Sequence, residues 1–476
     1  MNKETLKDYI QKNIASKYGI ISTQSQDRAI DVFSEFIFSD NPQSIFILKG
    51  YAGTGKTTMI NWVIDVVEYL GMKVVLMAST GRAAKTLESA TSKKSYTIHR
   101  VIYTSDNIFD LSSDFSLTSN NYENTFFIVD ESSMIGSDSR EFFFGSGNLL
   151  DDMLSYVYSS KNCRMMFVGD TAQLPPVGSA ISDALNSEKI CNFYGMEVFE
   201  ATLTDVVRQN KVSGILHNAT HLRNLINNID TDTEQISLIQ FEDFKFIDNS
   251  ELVEEIESSF RRYGKDNCII ICFSNKRALQ YNMGIRQRIF EYDSILVKGE
   301  KLIVSRNNYF YTKKKDRSDF IANGEMITTG RIYHKENIYD YDFASAEIHL
   351  TDRDYCLDVK MLLSSLTDEK TQLSREDKLK LYNNLYLDYS HLNSEKKINM
   401  TIRNDEYWGA LEVKYGYAIT AHKAQGGQWD CVFIDLGHLF YMPIDDNMLR
   451  WIYTSITRAK EKVYLVNCPK HIQQQM

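Results

Sequence analysis

Eight residues constrain this chain more than any others. Gly50-Tyr51-Ala52-Gly53-Thr54-Gly55-Lys56-Thr57 follow the apolar run Ile45-Phe46-Ile47-Leu48 and precede the helix-like Thr58-Met59-Ile60-Asn61-Trp62-Val63-Ile64. A chain that leaves a buried strand and turns at once into a helix needs backbone angles that glycine tolerates, and three glycines meet that need. The turn gathers amide N–H groups around a cavity. Together with the positive end of the following helix, they suit the phosphates of a nucleotide. In this P-loop reading Lys56 reaches the β- and γ-phosphates and Thr57 offers its hydroxyl to Mg²⁺. Gly50, Gly53, Thr54, Gly55 and Thr58 complete the expected nucleotide contacts.

The whole chain sets outer bounds. Its 476 residues predict about three domains. With 53 Lys+Arg against 63 Asp+Glu the formal charge is −10, which excludes a uniformly basic protein that coats nucleic acid but leaves room for a local basic groove. The seven cysteines include no C-x-x-C pair and read as reduced thiols, with Cys268 and Cys272 in an apolar strand core. The first residues contain no apolar signal region, and no segment approaches 18 uninterrupted apolar residues. A cytoplasmic protein without a membrane segment is expected.

Taken in order, the chain alternates strands with helices. Gln26 lies about one helix upstream of the P-loop, where its amide suits an adenine edge; taken alone it reads as a surface glutamine. Lys73-Val74-Val75-Leu76-Met77-Ala78 leads into a turn with Ser79, Thr80 and Arg82, groups suited to phosphate contact. This repeat of strand, small-residue turn and helix predicts an α/β fold with a parallel sheet. Tyr96, His99 and Arg100 add an aromatic, an imidazole and a cation, and residues 101–124 suit a small inserted hairpin. The strand Phe126–Val129 ends in Asp130-Glu131. There Asp130 is placed to hold Mg²⁺ through its water shell and Glu131 to orient and polarise an attacking water. Gly169-Asp170-Thr171-Ala172-Gln173-Leu174-Pro175-Pro176 forms a rigid turn whose Gln173 reaches the γ-phosphate or the water, and Arg208-Gln209 sits at a domain edge.

In this order and spacing, Gly50–Thr57, Asp130-Glu131, Gly169-Asp170-x-x-Gln173 and Arg208-Gln209 resemble motifs I to IV of superfamily 1 helicases. Tyr417–Gly426 and Tyr453–Lys460 resemble motifs V and VI, and Ile270–Lys276 with Arg286-Gln287-Arg288 resembles the opening of a second motor domain. The pattern is similar to the class B branch of superfamily 1 DNA helicases, which includes the Dda-type and RecD-like enzymes. That resemblance implies two RecA-like parallel-sheet motor domains, the first at 1–205 with a pin insert at 101–124, the second at 206–291 and 405–476. An SH3-type barrel with a helical excursion is implied at 292–404. By the same resemblance Gln26 reads adenine and Arg208 and Arg458 act as arginine fingers. Thr80, Arg82, Tyr96, His99, Thr420, His422 and Lys423 line a single-strand path, and Phe109 in the pin is a wedge candidate beside its plainer reading as a hairpin core aromatic.

The implied cofactors are ATP and Mg²⁺. The implied partners are single-stranded DNA and single-strand/duplex junctions, with replication or repair proteins of unidentified kind, and the implied polarity is 5′→3′. An RNA helicase with the same engine and a nucleic-acid clamp that does not unwind are the competing readings. His217 and His221, four apart, read as helix-surface histidines rather than a metal site, and Lys313-Lys314-Lys315-Asp316-Arg317 reads as a solvated loop. No zinc or nuclease-like pattern is read from the spacing.

Overall fold

The computed structural model describes residues 10, 17, 19, 21–104, 116–136, 146–176, 178–179, 181–205, 213–227, 236–308, 310–311, 321–350, 356–370, 372–442 and 445–474. Phe109, Arg208 and the 313–317 charge run lie outside the described residues. The chain divides into two compact units, one of residues 1–107 and 112–211, the other of the remainder.

In the first unit the strands are β1 (Ser44–Gly50), β2 (Lys73–Ala78), β3 (Ser95–Thr97), β4 (Tyr103–Thr104), β5 (Ser116–Leu117), β6 (Thr125–Asp130), β7 (Arg164–Gly169) and β8 (Glu197–Leu203). Six of them form one sheet in the order β3-β2-β6-β7-β1-β8, with every pairing parallel. Central parallel strands are covered on both faces, which is why they read as unbroken apolar runs. Alternate residues then serve opposite cores. Phe46 and Leu48 join Phe33, Phe36, Ile60 and Phe126 on one face, while Ile45 and Ile47 join Phe127, Val129, Met153 and Phe167 on the other. Phe33 meets Phe46 edge-on at 5.5 Å between ring centres. The antiparallel pair β4 and β5 forms the base of the hairpin expected at 101–124.

The second unit holds β9 (Leu238–Ile239), β10 (Phe244–Ile247), β11 (Cys268–Cys272), β12 (Lys301–Val304), β13 (Met326–Ile338), β14 (Tyr341–Leu350), β15 (Cys356–Leu362), β16 (Leu411–Tyr415), β17 (Ala418–Thr420), β18 (Trp429–Asp435), β19 (Ala459–Val466) and β20 (Gln473–Gln474). A parallel sheet runs β10-β19-β18-β11-β17, and β12 to β16 close a five-stranded barrel. The architecture is therefore α/β with two RecA-like sheets and a small barrel. Its last barrel strand, β16, falls in the 405–476 segment that the sequence reading assigns to the second sheet domain; pairing with β12 draws it into the barrel. The helical excursion between β15 and β16 forms helices at Ser364–Thr367, Arg375–Tyr389 and Glu395–Arg403. Leu381, Leu385, Ile398 and Ile402 of those helices pack on Tyr341 and Phe343 of the barrel. Among the described residues no helix is long and apolar enough to cross a membrane.

One buried ion pair joins sheet and barrel. Arg286, on the helix Asn275–Arg288, bonds both carboxylate oxygens of Glu300 at 3.2 Å just before β12, and Tyr417 donates its hydroxyl to the same carboxylate at 3.0 Å. The two side chains are 3% and 0% exposed. Removing one partner of such a pair strands the other charge, at a cost of about 3–5 kcal/mol. Glu300→Gln should lower the unfolding free energy of the second unit by that amount, seen as a lower urea midpoint in Trp408, Trp429 and Trp451 fluorescence. The apolar double replacement Arg286→Met with Glu300→Leu should recover most of the loss.

Candidate nucleotide and nucleic-acid sites

β1 ends where the P-loop begins, and the loop's geometry explains its residues. A Cβ on Gly50 would lie 2.9 Å from Thr54 Oγ1 and 3.0 Å from Lys56 Cγ, so no side chain fits. Gly53 and Gly55 have φ of 79° and 91°, the left-handed region that other residues avoid. Thr54 is fully buried and closes the turn by donating its hydroxyl to Tyr51 O at 2.8 Å. Lys56 opens the helix Lys56–Tyr69 and turns its ammonium back onto the loop, donating to Gly50 O at 2.7 Å and Tyr51 O at 3.0 Å. Thr57 and Thr58 follow in the first helical turn, with Thr57 exposed.

Gln26 corrects the plain sequence reading, since it is 1% exposed rather than a surface residue. It occupies the third position of the helix Gln24–Ile37, where its Oε1 accepts from Thr23 N at 3.0 Å in a capping box. Its Nε2 donates to Thr54 O at 3.3 Å, so the amide braces the P-loop directly.

Two more strand ends of the sheet carry the acids and the glutamine. Asp130 ends β6 and pairs in register with Ala78 at the end of β2. Burial and the adjacent Glu131 carboxylate push the Asp130 carboxyl up to about 7, against the pull of a 2.8 Å bond from Glu131 N and the Lys56 charge. Glu131 itself sits at φ 52°, a costly conformation for a non-glycine residue and one that clusters at functional sites. After β7, Asp170 is 1% exposed, accepts from Ala172 N at 3.0 Å and from Gln173 Nε2 at 3.5 Å, and lies 4.0 Å from Lys56 Nζ. Gln173 Oε1 is buried with no hydrogen-bond partner among the described residues. A stranded acceptor costs about 1–3 kcal/mol, so it calls for a ligand or water donor.

These features fit the groups that the sequence implies. Amide-rich glycine turns and a lysine suit phosphates. The Asp130 carboxylate and the Thr57 hydroxyl are hard-oxygen donors of the kind that suits Mg²⁺, and the Asp130 carboxyl is raised by its burial first and by the Glu131 charge second.

The remaining first-unit candidates have visible structural duties. Thr80 caps the helix Gly81–Thr91, its hydroxyl accepting from Ala83 N at 3.2 Å, and Arg82 lies in that helix's first turn. Tyr96 sits on β3 with the Arg100 guanidinium 4.8 Å from its ring centre. His99 lies in the helix Ile98–Ile102 against Tyr103, and burial lowers its imidazole to about 4, so it is neutral near pH 7.

In the second unit Thr420 ends β17, and His422 and Lys423 lie in the short helix Ala421–Ala424. Thr420 and Lys423 line a cleft with Asn275, Lys414, Asp368 and Glu369. Burial, and then the charge of Lys414, lower the Lys423 ammonium to about 8. Arg458 is 4% exposed, and among the described residues its guanidinium donates to neutral oxygens: Thr454 O at 3.1 Å, Thr457 Oγ1 at 3.2 Å and Gly427 O at 3.5 Å. His217 stacks near Phe241, while His221 Nε2 accepts from Ser237 N at 3.4 Å.

A family model described as an AAA domain matches residues 26–235, and one described as a UvrD-like helicase C-terminal domain matches 415–466. These segments hold the P-loop, the acid pair and Gln173 on one side and the Thr420–Lys423 and Arg458 stretches on the other. The ATP-dependent DNA helicase dda of Enterobacteria phage T4 is 25% identical across 88% of this chain and 93% of its own. These matches support the resemblance to superfamily 1 class B helicases. The uncharacterized protein MJ1519 of Methanocaldococcus jannaschii is 23% identical across 96% of this chain, which spans 39% of that relative's length. A crystal structure of Pif1 helicase from Bacteroides in complex with ADP-AlF3 and ssDNA covers 96% of this chain and 95% of its own, with 14% identity and a TM-score of 0.47.

Sequence reasoning left two residues out of the site. Asp170, between Lys56 and Gln173, is signalled by the G-D-x-x-Q spacing; Lys414, whose charge adds to burial in lowering Lys423, has no signal in the strand Leu411–Tyr415 beyond being its one basic residue.

The Asp130 shift gives a stability test. The folded carboxyl holds its proton to about 7 while the unfolded one loses it near 4, so this site's contribution to stability falls as pH rises between those values. Asp130→Asn removes the buried charge and should raise the melting temperature of nucleotide-free protein at pH 8 by a few degrees, on the order of 1 kcal/mol. A scanning-fluorimetry midpoint at or below wild type would contradict this.

Proposed function

We propose that this chain is an ATP-driven DNA helicase that moves 5′→3′ along single-stranded DNA and separates the duplex at single-strand/duplex junctions. The observation that carries the hydrolytic part is the buried, unpartnered Gln173 Oε1, fixed through Asp170 to the lysine of the P-loop. ATP supplies the transferable phosphoryl group, and Mg²⁺ neutralises its charge when bound. Lys56 exchanges its loop carbonyls for phosphate oxygens. Asp130 and Thr57 hold the metal's water shell, Gln26 reads the base, and Gln173 Oε1 accepts a hydrogen bond from the attacking water. Glu131 orients that water and takes its proton. Arg458, whose acceptors among the described residues are neutral, and Arg208 offset charge on the transferred phosphoryl, worth on the order of 10³–10⁵ in rate.

Thr80, Arg82, Tyr96 and His99 of the first unit and Thr420, His422 and Lys423 of the second contact the strand, mostly through its backbone, which holds without reading sequence. Tyr96 stacks on a base at about 1–3 kcal/mol, and Phe109 is the wedge candidate. DNA as substrate is supported by the phage relative's name, and the 5′→3′ polarity by the class B resemblance alone.

Strand displacement from tailed duplexes tests substrate, activity and direction together. Unwinding is expected from a 5′ tail, and unwinding only from a 3′ tail would refute the polarity. Stronger stimulation of ATP hydrolysis by RNA than by DNA of equal length would favour an RNA helicase. Lys56→Ala and Glu131→Gln should each abolish DNA-stimulated hydrolysis, with Glu131→Gln still binding nucleotide.

The Lys423 ammonium predicts a pH effect as well. Backbone phosphate selects its charged form, so single-strand affinity should be flat below about 8 and weaken toward tenfold per pH unit above it. Lys423→Met should bind more weakly at pH 7 and lose this dependence in a fluorescence-anisotropy titration.

A further inference from the structure

The outer face of the barrel brings together donors that the spacing in the chain does not suggest. Glu347 and His349 lie two apart on β14, so their side chains leave the same face. Across the antiparallel ladder His349 stands opposite Cys356 and Glu347 opposite Asp358, which makes a two-by-two block of Glu, His, Cys and Asp. His349 Nε2 is 3.2 Å from Glu347 Oε1, and Cys356 Sγ is 3.0 Å from His349 Nδ1 and 4.0 Å from Nε2. One donor atom each from Glu347, His349 and Cys356 falls within 4.8 Å of the others. Like charges directly opposite on a sheet, as Glu347 and Asp358 are, destabilise it unless something offsets them, and a cation bound beside them would do so. Gly330 on β13 leaves open the space that the Glu347 side chain occupies.

We propose that Glu347, His349 and Cys356 form a zinc-binding site. A thiolate, an imidazole and a carboxylate are the ligand types of tetrahedral Zn²⁺, at about 2.0–2.3 Å from the ion, which sets the donors about 3.3–3.7 Å apart. The observed spacings bracket that range, and small side-chain rotations meet it. Water takes the fourth position. Asp358, which accepts from Tyr333 Oη at 2.8 Å, faces the site as an outer carboxylate that would orient that water. The ladder presets the ligands, and His349 and Cys356 are exposed, so an entry path exists. Binding replaces the Cys356 S–H bond with a metal–sulfur bond and releases the proton to solvent, with no redox change. The ion ties β14 to β15 at one end of the barrel.

The test uses the full chain, reduced and stripped with chelator, then titrated with Co²⁺ in excess Mg²⁺. One equivalent should produce a thiolate-to-metal charge-transfer band that Zn²⁺ then abolishes. An oxygen-lined phosphate site cannot give this signature. Cys356→Ser should remove the band, Cys191→Ser should keep it although Cys191 is also exposed, and His349→Gln and Glu347→Gln should each weaken the metal by at least about tenfold. A melting temperature matching metal-free wild type certifies that each variant is folded. The proposal fails if wild type gives no band, if the band survives Cys356→Ser, or if both glutamine variants bind as tightly as wild type.

Discussion

A parallel sheet delivers every strand's carboxyl end to the same edge, and the first unit depends on that constraint. β1 opens into the P-loop, β2 into Ser79–Arg82, β6 into Asp130-Glu131 and β7 into Asp170 and Gln173. No long-range device is needed to assemble these groups. Ala78 pairs with Asp130 and Lys49 with Gly169, so the register that buries the phenylalanines also aligns the chemistry. Ligands of open parallel sheets bind at that edge for the same reason.

The two units solve different electrostatic problems. Around the P-loop the charges are left open to a ligand: a carboxyl raised to about 7 and an acceptor with no donor. At the foot of the barrel the charges of Arg286 and Glu300 are closed on each other and on Tyr417, out of reach of solvent. The first arrangement is costly to hold and available for binding. The second is locked and serves position.

How much of this was legible in the sequence follows the range of each interaction. Glycine spacing after an apolar run is local, so the P-loop and the strand–turn–helix rhythm could be read directly, and six motifs in order carried the family resemblance. Gln26 was misjudged on its own because its burial comes from Thr54, 28 residues further along the chain. Strand β16 escaped the barrel assignment because its partner β12 lies over 100 residues away in sequence. Glu347, His349 and Cys356 were invisible as a group because only the β14–β15 register brings the cysteine opposite the histidine. Side-chain periodicity is written in neighbouring residues; cross-strand register is not.

The self-contact of Lys56 has a kinetic meaning. Its ammonium has an internal berth on two loop carbonyls, so an arriving phosphate competes with the protein's own oxygens rather than filling a void. Affinity is lowered by that competition. In return, the same two carbonyls would be there to take the cation back if a bound phosphate withdrew. A loop that parks its own charge favours rapid exchange over tight retention, which suits a site that must be emptied once in every cycle.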